Sequence, residues 1–320
     1  MTERLIQSIS ADPSKYCVLG QSVDVGSYIS GLAGFLKSVP AECSVINTPN
    51  TEGATIAYCF GLALMGKHPI LVVKQLDFVL LMIEQLVNTS NAFRAAKRKV
   101  GLTILCYVVD SGFEGPQSRF AQGLELANLT GVNVYSVQSR EGCDAAIDGA
   151  FGLTPNISIL LMSQRFANEN TGKVSQLHEQ ADRNDSFSLY RLPALDGSQI
   201  LVIFSFFSYC RAAEFEQIPN YWGGDVGRSI SACDHLVLHK VNIFDSLKRL
   251  SEVFREYRKI VIIDDSKSQL NNGDLILQYM SVSGWSGEVI TLFDRARAVN
   301  VSVSPDQFNP VSEVVKLGSC

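Results

Sequence analysis

One acidic residue, Glu52, stands where the sequence is most informative. It follows a short apolar segment, Ser44–Asn47, and a turn that contains Pro49, and it opens a helix-like segment rich in Gly and Ala. A lone carboxylate beside apolar residues is a candidate for proton exchange with a bound group. Acidic side chains are also favoured in first helical turns because of the helix dipole alone. The local pattern leaves both explanations open.

The segments on either side of Glu52 follow a recognisable order. Upstream, Gly20–Gly26 is an acidic turn between glycines; downstream, the Ala-rich stretch Ala57–Met65 is followed by a Gly turn and an apolar segment that begins at Pro69. In this order the chain resembles the beta subunit of the first component of 2-oxoacid dehydrogenases and the matching half of transketolase. The resemblance extends over residues 15–315.

The resemblance implies a specific role for Glu52. Enzymes of this family use thiamine diphosphate, which must lose a proton from its thiazolium ring. The cofactor's own aminopyrimidine takes that proton only as an imino tautomer, and a carboxylate bonded to a pyrimidine nitrogen favours this tautomer. A sheltered, apolar position keeps such a carboxyl poised for proton exchange. Glu52 is therefore expected to be the catalytic residue and to bind the cofactor.

A second match to the family begins at Gln75 and runs into a predicted helix, Phe78–Arg98. By resemblance, Phe78 is expected to stack on the pyrimidine ring and Leu81, one turn further on, to contact the cofactor as well. A flat apolar wall suits a heteroaromatic ring. The alternative is that Phe78 is an ordinary core residue next to a capping Asp77.

A third match is the loop that contains Gly115, Pro116, Gln117 and Ser118. The resemblance implies that Gln117 and Ser118 face the substrate. The family usually places a histidine where this chain has Ser118, and that histidine serves in proton transfer or in receiving an acyl carrier. A serine hydroxyl cannot exchange protons in this way near neutral pH. Ordinary lipoyl-linked dehydrogenase activity is therefore not expected.

The metal motif of the family is missing from the chain. Relatives hold the diphosphate through Mg²⁺ or Ca²⁺ with a Gly-Asp-Gly run followed further on by Asn, and oxygen ligands suit both ions. Only Gly223–Gly227 and Gly273–Leu275 come near this pattern. We therefore expect no metal ligand here. A diphosphate-binding alpha-type subunit would supply the metal, in a heterotetramer built through beta–beta contact.

Alternating strand-like and helical segments predict the fold. The order is typical of an α/β protein with a mostly parallel sheet and helices on both faces, followed by a smaller α/β domain. We predict a pyrimidine-binding domain over residues 1–166, a polar linker or long loop over 167–189, and a transketolase C-terminal-like domain over 190–320. The last domain carries no catalytic group that the sequence identifies.

Composition narrows the class of protein. The formal net charge is −5 and the densest basic run, Ala95–Lys99, has only three cations, so we expect no nucleic-acid binding. We interpret this run as a solvated helix end. No apolar stretch approaches the roughly 20 residues of a membrane span, and no secretory peptide is expected. Eight scattered cysteines inside apolar segments indicate buried, reduced thiols in the cytoplasm.

Together these features predict a subunit of an enzyme that is active only with a partner chain. It would form an activated acyl or ketol adduct from a 2-oxo acid or a ketose and transfer it, as a thiamine-diphosphate-dependent transferase or a 2-oxoacid dehydrogenase or decarboxylase does. The alternative is a catalytically silent scaffold or regulatory paralog, which Ser118 favours and Glu52 opposes. The sequence does not specify substrate, acceptor, pathway or stoichiometry.

Overall fold

The computed structural model describes residues 2–24, 38–110, 120–169, 178–193, 200–212, 230–266, 268, 271–293 and 311–316. In these ranges the chain forms two β-sheets, and helices alternate with the strands. The predicted α/β class is confirmed. The domain boundaries at residues 166 and 189 stay predictions.

The first sheet has six strands, all parallel, in the order β2-β1-β3-β4-β6-β5. They are β1 (Tyr16–Gly20), β2 (Ser44–Asn47), β3 (His68–Val73), β4 (Leu102–Val108), β5 (Asn133–Val137) and β6 (Ile157–Ser163). Strands β3 and β4 are buried along their whole length. Such continuous apolar strands are typical of parallel sheets covered on both faces.

The second sheet has seven strands in the order β13-β12-β11-β9-β10-β8-β7. They are β7 (Glu179–Arg183), β8 (Phe187–Arg191), β9 (Ile200–Ser205), β10 (Asp234–Leu238), β11 (Lys259–Asp264), β12 (Glu288–Phe293) and β13 (Val311–Lys316). Its four central strands are parallel, whereas β8 pairs antiparallel with β10, β7 with β8, and β13 with β12. The sheet is therefore mixed, with antiparallel pairs at its edges.

Helices cover both sheets. They are α1 (Thr2–Ala11), α2 (Glu52–Leu64), α3 (Ile83–Ala95), α4 (Gly123–Thr130), α5 (Arg140–Phe151), α6 (Gln164–Glu169), α7 (Leu247–Phe254) and α8 (Asn272–Val282). Short 3-10 segments lie at Pro13–Lys15, Leu76–Met82, Ser208–Arg211, Ile230–Ala232 and Phe244–Ser246. In the described part of the chain, none of these helices is long and apolar enough to cross a membrane.

The two faces of the first sheet pack into separate cores because side chains alternate along a strand. From β3, Leu71 and Val73 enter the core formed with α2, α3 and α4, whereas Ile70 and Val72 enter the core formed with α1 and α5. Seven cysteines lie in the described ranges, and all seven are buried free thiols. This agrees with their position in apolar segments of the sequence.

Two predicted elements differ from the structure. The helix predicted over Phe78–Arg98 begins later, at Ile83, and a 3-10 segment precedes it with Leu76, Val79 and Met82 buried at a spacing of three residues. The predicted linker or loop contains β7 and most of β8. Strand β7 is polar because it is an edge strand exposed along most of its length, so it lacks the apolar alternation that predicts a strand.

The two sheets are joined by backbone pairing and by a shared core. The backbone N–H of Ser136 in β5 donates to the carbonyl of His239 at 2.7 Å, and the N–H of Val241 donates to the carbonyl of Val134 at 2.9 Å. The segment after β10 thereby covers the edge of the first sheet. Phe206 and Phe207, which follow β9, pack into the core beside α2, α3 and α4. The carboxyl end of β9 is thus fixed against the first half of the chain.

Candidate functional site

The first sheet has a switch in strand order between β1 and β3. The chain leaves β1 towards β2 on one side, and from β2 it crosses to β3 on the other side of β1. Loops that leave the carboxyl ends of the two strands therefore diverge, and such a crevice is the usual ligand site of open α/β sheets. A cleft lies at this position, between Gly20 at the end of β1 and Val73-Lys74 at the end of β3.

Gly20 lines the cleft at the end of β1, where its neighbours leave no room for a side chain. A Cβ atom at Gly20 would lie 2.5 Å from the carbonyl oxygen of Val72 and 2.7 Å from Cγ1 of Val23. Both distances are far below van der Waals contact, so only glycine fits. The carbonyl of Gly20 also accepts a hydrogen bond from the N–H of Thr48 at 3.0 Å, which fixes the chain after β2 against the end of β1.

Glu52 lines the cleft as the first residue of α2. The turn before it is closed by a hydrogen bond from the N–H of Thr51 to the carbonyl of Pro49, at 2.8 Å. Its side chain is partly buried, and it has neither a hydrogen bond nor an ion pair with any residue in the described ranges. A sheltered carboxylate without a partner, at a switch point, is therefore available to a ligand.

Phe78 lines the same cleft, and its ring also packs against the core beneath it. The structure thus brings the two predicted residues Glu52 and Phe78 together. Leu81 does not line the cleft, because its side chain is 62% exposed on the outer side of the 3-10 segment. The next residue, Met82, is buried and does line it. Leu81 as a cofactor contact stays a prediction.

The predicted residues Gln117 and Ser118 lie outside the described residues, in the range 111–119. The residues on either side of this range are held by hydrogen bonds. The N–H of Phe120 donates to the Asp77 carboxylate at 3.1 Å, next to Phe78. Before the range, Asp110 accepts from the hydroxyl of Ser163 and from the N–H of Arg165. The contact of Gln117 and Ser118 with a substrate stays a prediction.

A group of carboxylates lies where the carboxyl ends of the two sheets meet. Asp265 accepts a hydrogen bond from the N–H of Phe207 at 2.8 Å. The pKa of Asp265 is raised to about 8. Burial is the largest cause and the charges of Asp264 and Asp110 add to it, whereas Arg211 and the hydrogen bond from Phe207 lower the pKa. Burial also raises the pKa of Asp110 and of Asp264. These groups lie beyond the cleft, and the sequence alone does not identify them.

The segment at Gly273 has a structural role. The side chain of Asn271 accepts from the N–H of Asp274 at 3.1 Å, and the Asp274 carboxylate accepts from the N–H of Asn271 at 3.1 Å. This is a capping box at the start of α8. Gly223–Gly227, the other segment near the family's metal pattern, lies outside the described residues. Within the described ranges, no three His, Cys, Asp or Glu side chains form a group that could hold a metal ion.

Helix α2 is apolar on both its inner and its outer side. Residues such as Ile56 and Cys59 face the core, whereas Tyr58, at 50% exposure, and Met65, at 81%, face outward. Leu81 extends this surface from the neighbouring 3-10 segment. A helix that is apolar all round is normally buried on all sides. We call the outward-facing residues the α2 face: Tyr58, Leu64, Met65, Leu80 and Leu81.

The cleft also has lining residues that the sequence does not single out as site residues: Gly20, Gln21, Thr48, Thr55, Lys74 and Met82. The feature that could have identified them in the sequence is their position, because most lie at or directly after the carboxyl ends of β1, β2 and β3. The enclosed space is only about 30 Å³, room for about one water molecule. A planar ring placed against Glu52 and Phe78 would therefore remain open on its outer side.

Comparison of the sequence with protein-family models and with curated proteins finds no match. Many solved structures are similar to this chain, among them the following two. One is a split-gene transketolase described as an inactive beta4 tetramer, with a TM-score of 0.66 and 14% identity, covering 93% of this chain and 89% of that chain. The other is transketolase from Campylobacter jejuni, with a TM-score of 0.59 and 13% identity, covering 86% of this chain and 40% of that chain.

The chain therefore has the fold of a transketolase-like half, as the sequence resemblance implied. It spans 40% of the length of the Campylobacter transketolase. At 13–14% identity this likeness establishes the fold alone.

Proposed function

We propose that this chain is the beta-type, pyrimidine-holding subunit of a split thiamine-diphosphate-dependent enzyme. One observation carries the proposal. In a transketolase-like fold, the Glu52 carboxylate lines the switch-point cleft with no partner among the described residues. In crevices of this kind the sheet edge supplies the shape, and one or two side chains supply the chemistry.

The residues at the cleft fit one end of thiamine diphosphate. Phe78 and Met82 offer an apolar wall to a heteroaromatic ring, and Glu52 offers a single carboxylate to a ring nitrogen. The cofactor, when bound, supplies a nucleophilic thiazolium carbon. Glu52 holds and returns a proton at the pyrimidine nitrogen, and Phe78 orients the ring.

Two observations support a second chain: no group of side chains within the described ranges could hold a metal ion, and the cleft encloses only a small volume. The diphosphate, with Mg²⁺ or Ca²⁺, would be held by an alpha-type partner, and the active site would lie between the two chains. The α2 face begins at Tyr58, fewer than two helical turns beyond Glu52, and we infer that a partner that covers this face also covers the open side of the cleft. Two such pairs would join through a beta–beta contact into a heterotetramer.

The substrate we propose is a 2-oxo acid or a ketose. The enzyme would form an activated acyl or ketol group and pass it to an acceptor. Ser118 stands where relatives have a histidine, so the transfer must not need an imidazole from this loop. Acyl transfer without a lipoyl carrier, or ketol transfer as in transketolase, meets this condition. We propose the cytoplasm as its compartment because the seven described cysteines are buried free thiols.

The direct test of Glu52 is Glu52→Gln in the complex reconstituted with a chain that carries a Gly-Asp-Gly motif. The change keeps the shape and removes the ionisable carboxyl, so turnover is expected to fall by roughly two to four powers of ten with assembly intact. The matched control is Glu42→Gln, at an exposed glutamate outside the cleft, which is expected to leave turnover unchanged. Near-normal turnover of Glu52→Gln would show that Glu52 is not the activating acid.

The α2 face is tested by charge. Tyr58→Asp combined with Leu81→Asp places two carboxylates on the exposed apolar surface, where each costs little in the isolated chain. We expect an unchanged melting temperature and loss of the complex in sedimentation velocity. The control is Phe244→Asp, at an aromatic side chain exposed to a similar degree in the second half of the chain. Equal loss of assembly in the control would place the interface elsewhere.

A second function has one observation in its favour. Ser118 removes a proton-transfer group of the family, which fits a silent scaffold or regulatory paralog. A complex that assembles but is inactive with every 2-oxo acid and ketose tested would support this second function. Turnover that depends on Glu52 would exclude it.

A further inference from the structure

A second recess lies at the opposite end of the strands of the first sheet from Glu52. It has a volume of about 200 Å³ and lies at the amino ends of β4, β5 and β6. Its walls come from the last turns of α3 and from the segments that enter the three strands. This volume is several times that of the Glu52 cleft, and none of its residues lines that cleft.

Three cations and no acidic side chain line the recess: Arg94, Arg98 and Lys99. Arg94 is fixed in place, because its guanidinium donates to the carbonyl of Gly131 at 2.8 Å and to the carbonyl of Thr130 at 3.0 Å. A Cβ at Gly131 would lie 2.8 Å from Nη1 of Arg94, and the backbone there has φ +60°, so glycine is needed for this packing. Arg94 is therefore held in one orientation at the wall.

Arg98 and Lys99 are free to meet a ligand. Both are exposed, and neither side chain has an ion pair or a hydrogen bond with a residue in the described part of the chain. The sequence alone suggests only a solvated helix end for this basic run. The structure adds a concave surface beneath two of its three charges, since Lys97 does not line the recess.

Ser90 is an independent indication of a ligand. It lines the recess on the same side of α3 as Phe93 and Arg94, which lie three and four positions further on. The residue is only 2% exposed, yet its hydroxyl has no hydrogen-bond partner. Buried hydroxyl groups are nearly always hydrogen-bonded, and an unpaired one lowers stability. A bound oxyanion at the wall would satisfy it.

We propose that this recess binds a small phosphate monoester. A phosphate dianion matches three neighbouring cations, and arginine forks suit its oxygen geometry. The apolar side chains of Phe93, Pro155 and Ile157 offer a surface to a short carbon skeleton. The volume is below the usual range of pockets for drug-sized ligands, which limits the skeleton to a few carbons. The site is independent of the proposed function.

Calorimetric titration of the full chain at low ionic strength tests the site, with glycerol 3-phosphate and inorganic phosphate as probes. We expect saturable binding of one glycerol 3-phosphate per chain, tighter than that of inorganic phosphate. Removing two exposed cations in Arg98→Gln with Lys99→Gln should weaken it roughly tenfold. Ser90→Ala should weaken it about threefold to tenfold without loss of thermal stability.

The matched control is Lys97→Gln, which removes one charge from the same run but outside the recess. We expect this change to alter affinity less than twofold. If Lys97→Gln weakened binding as much per charge removed as the Arg98 and Lys99 double variant does, the attraction would be non-specific and the proposal would be overturned. The absence of binding at millimolar glycerol 3-phosphate would also overturn it. Equal affinity for inorganic phosphate would overturn the assignment of an organic ligand in favour of free phosphate.

Discussion

The raised pKa of Asp265 predicts a pH-dependent stability that can be isolated. In the folded chain its carboxyl titrates at about 8, whereas in the unfolded chain it titrates near 3.8. The folded state therefore holds a proton that the unfolded state has released, and stability falls as pH rises towards 8. Between pH 7 and 8 the loss from this one group is at most about 1 kcal/mol, since each proton corresponds to about 1.4 kcal/mol per pH unit.

Between pH 7 and 8 the effect of Asp265 on stability can be distinguished from that of the buried histidines. Burial lowers the pKa of His68 to about 4 and that of His235 and His239 to about 3. Their contribution rises with pH as the unfolded chain loses protons, and it is complete above about pH 7. Buried cysteines with raised pKa also lose stability in this window. The cysteines change the free energy of unfolding between pH 7 and 8 by the same amount in wild type and in an Asp265 variant. Subtracting the free energy of unfolding of one protein from that of the other therefore cancels the cysteine contribution.

The variant is Asp265→Asn, which keeps an oxygen to accept from the N–H of Phe207 but cannot ionise. Urea unfolding at pH 7 and 8 under reducing conditions gives the free energy of unfolding of both proteins. We expect the variant to gain up to about 1 kcal/mol relative to wild type over this pH step. The control is Asp245→Asn, at an exposed aspartate, with no such gain. A constant difference between Asp265→Asn and wild type at both pH values would refute a raised pKa.

Three further changes test the cleft. Gly20→Ala should destabilise the chain by about 1–3 kcal/mol in chemical denaturation, because the new Cβ would lie 2.5 Å from a backbone oxygen. The control is Gly61→Ala, which has open space around it and should stabilise α2 by about 0.5–1 kcal/mol. Equal effects would show that the strand edge adapts. Leu81→Ala should leave the melting temperature within about 2 °C of wild type and weaken cofactor binding only in the assembled enzyme; weaker binding by the isolated chain would mean that Leu81 contacts the ring directly. Ser118→Ala should raise the Michaelis constant by about twofold to tenfold, the value of one neutral hydrogen bond, and change turnover little. A collapse of turnover at unchanged Michaelis constant would show that the hydroxyl acts in the transition state.

Part of the site and part of the fold could be predicted from residue types and from the order of segments along the chain. The family resemblance places Glu52 and Phe78 at one site. In the structure they meet because each follows a strand whose carboxyl end lies at the same sheet edge. The long apolar runs of β3 and β4 are by themselves typical of a buried parallel sheet. These features depend on residue type and on the order of segments along the chain, both of which a single sequence contains.

Other features depend on distances that a single sequence does not contain. Over seven residues, a 3-10 segment with buried positions three apart resembles an α-helix, so the sequence pattern places the start of α3 too early. Strand β7 lacks apolar alternation because it lies at an edge. The phosphate recess joins Ser90 to segments that lie far from it in sequence, near residues 131 and 156, and only the fold brings them together.

The central claim is that this chain provides half of a thiamine-diphosphate site. The most direct test is calorimetric titration of thiamine diphosphate into the chain alone, with and without Mg²⁺, and then into the chain mixed with a diphosphate-holding partner. We predict weak binding without metal dependence by the chain alone, and tight, Mg²⁺-dependent binding only in the mixture. Tight, Mg²⁺-dependent binding by the isolated chain would contradict the claim.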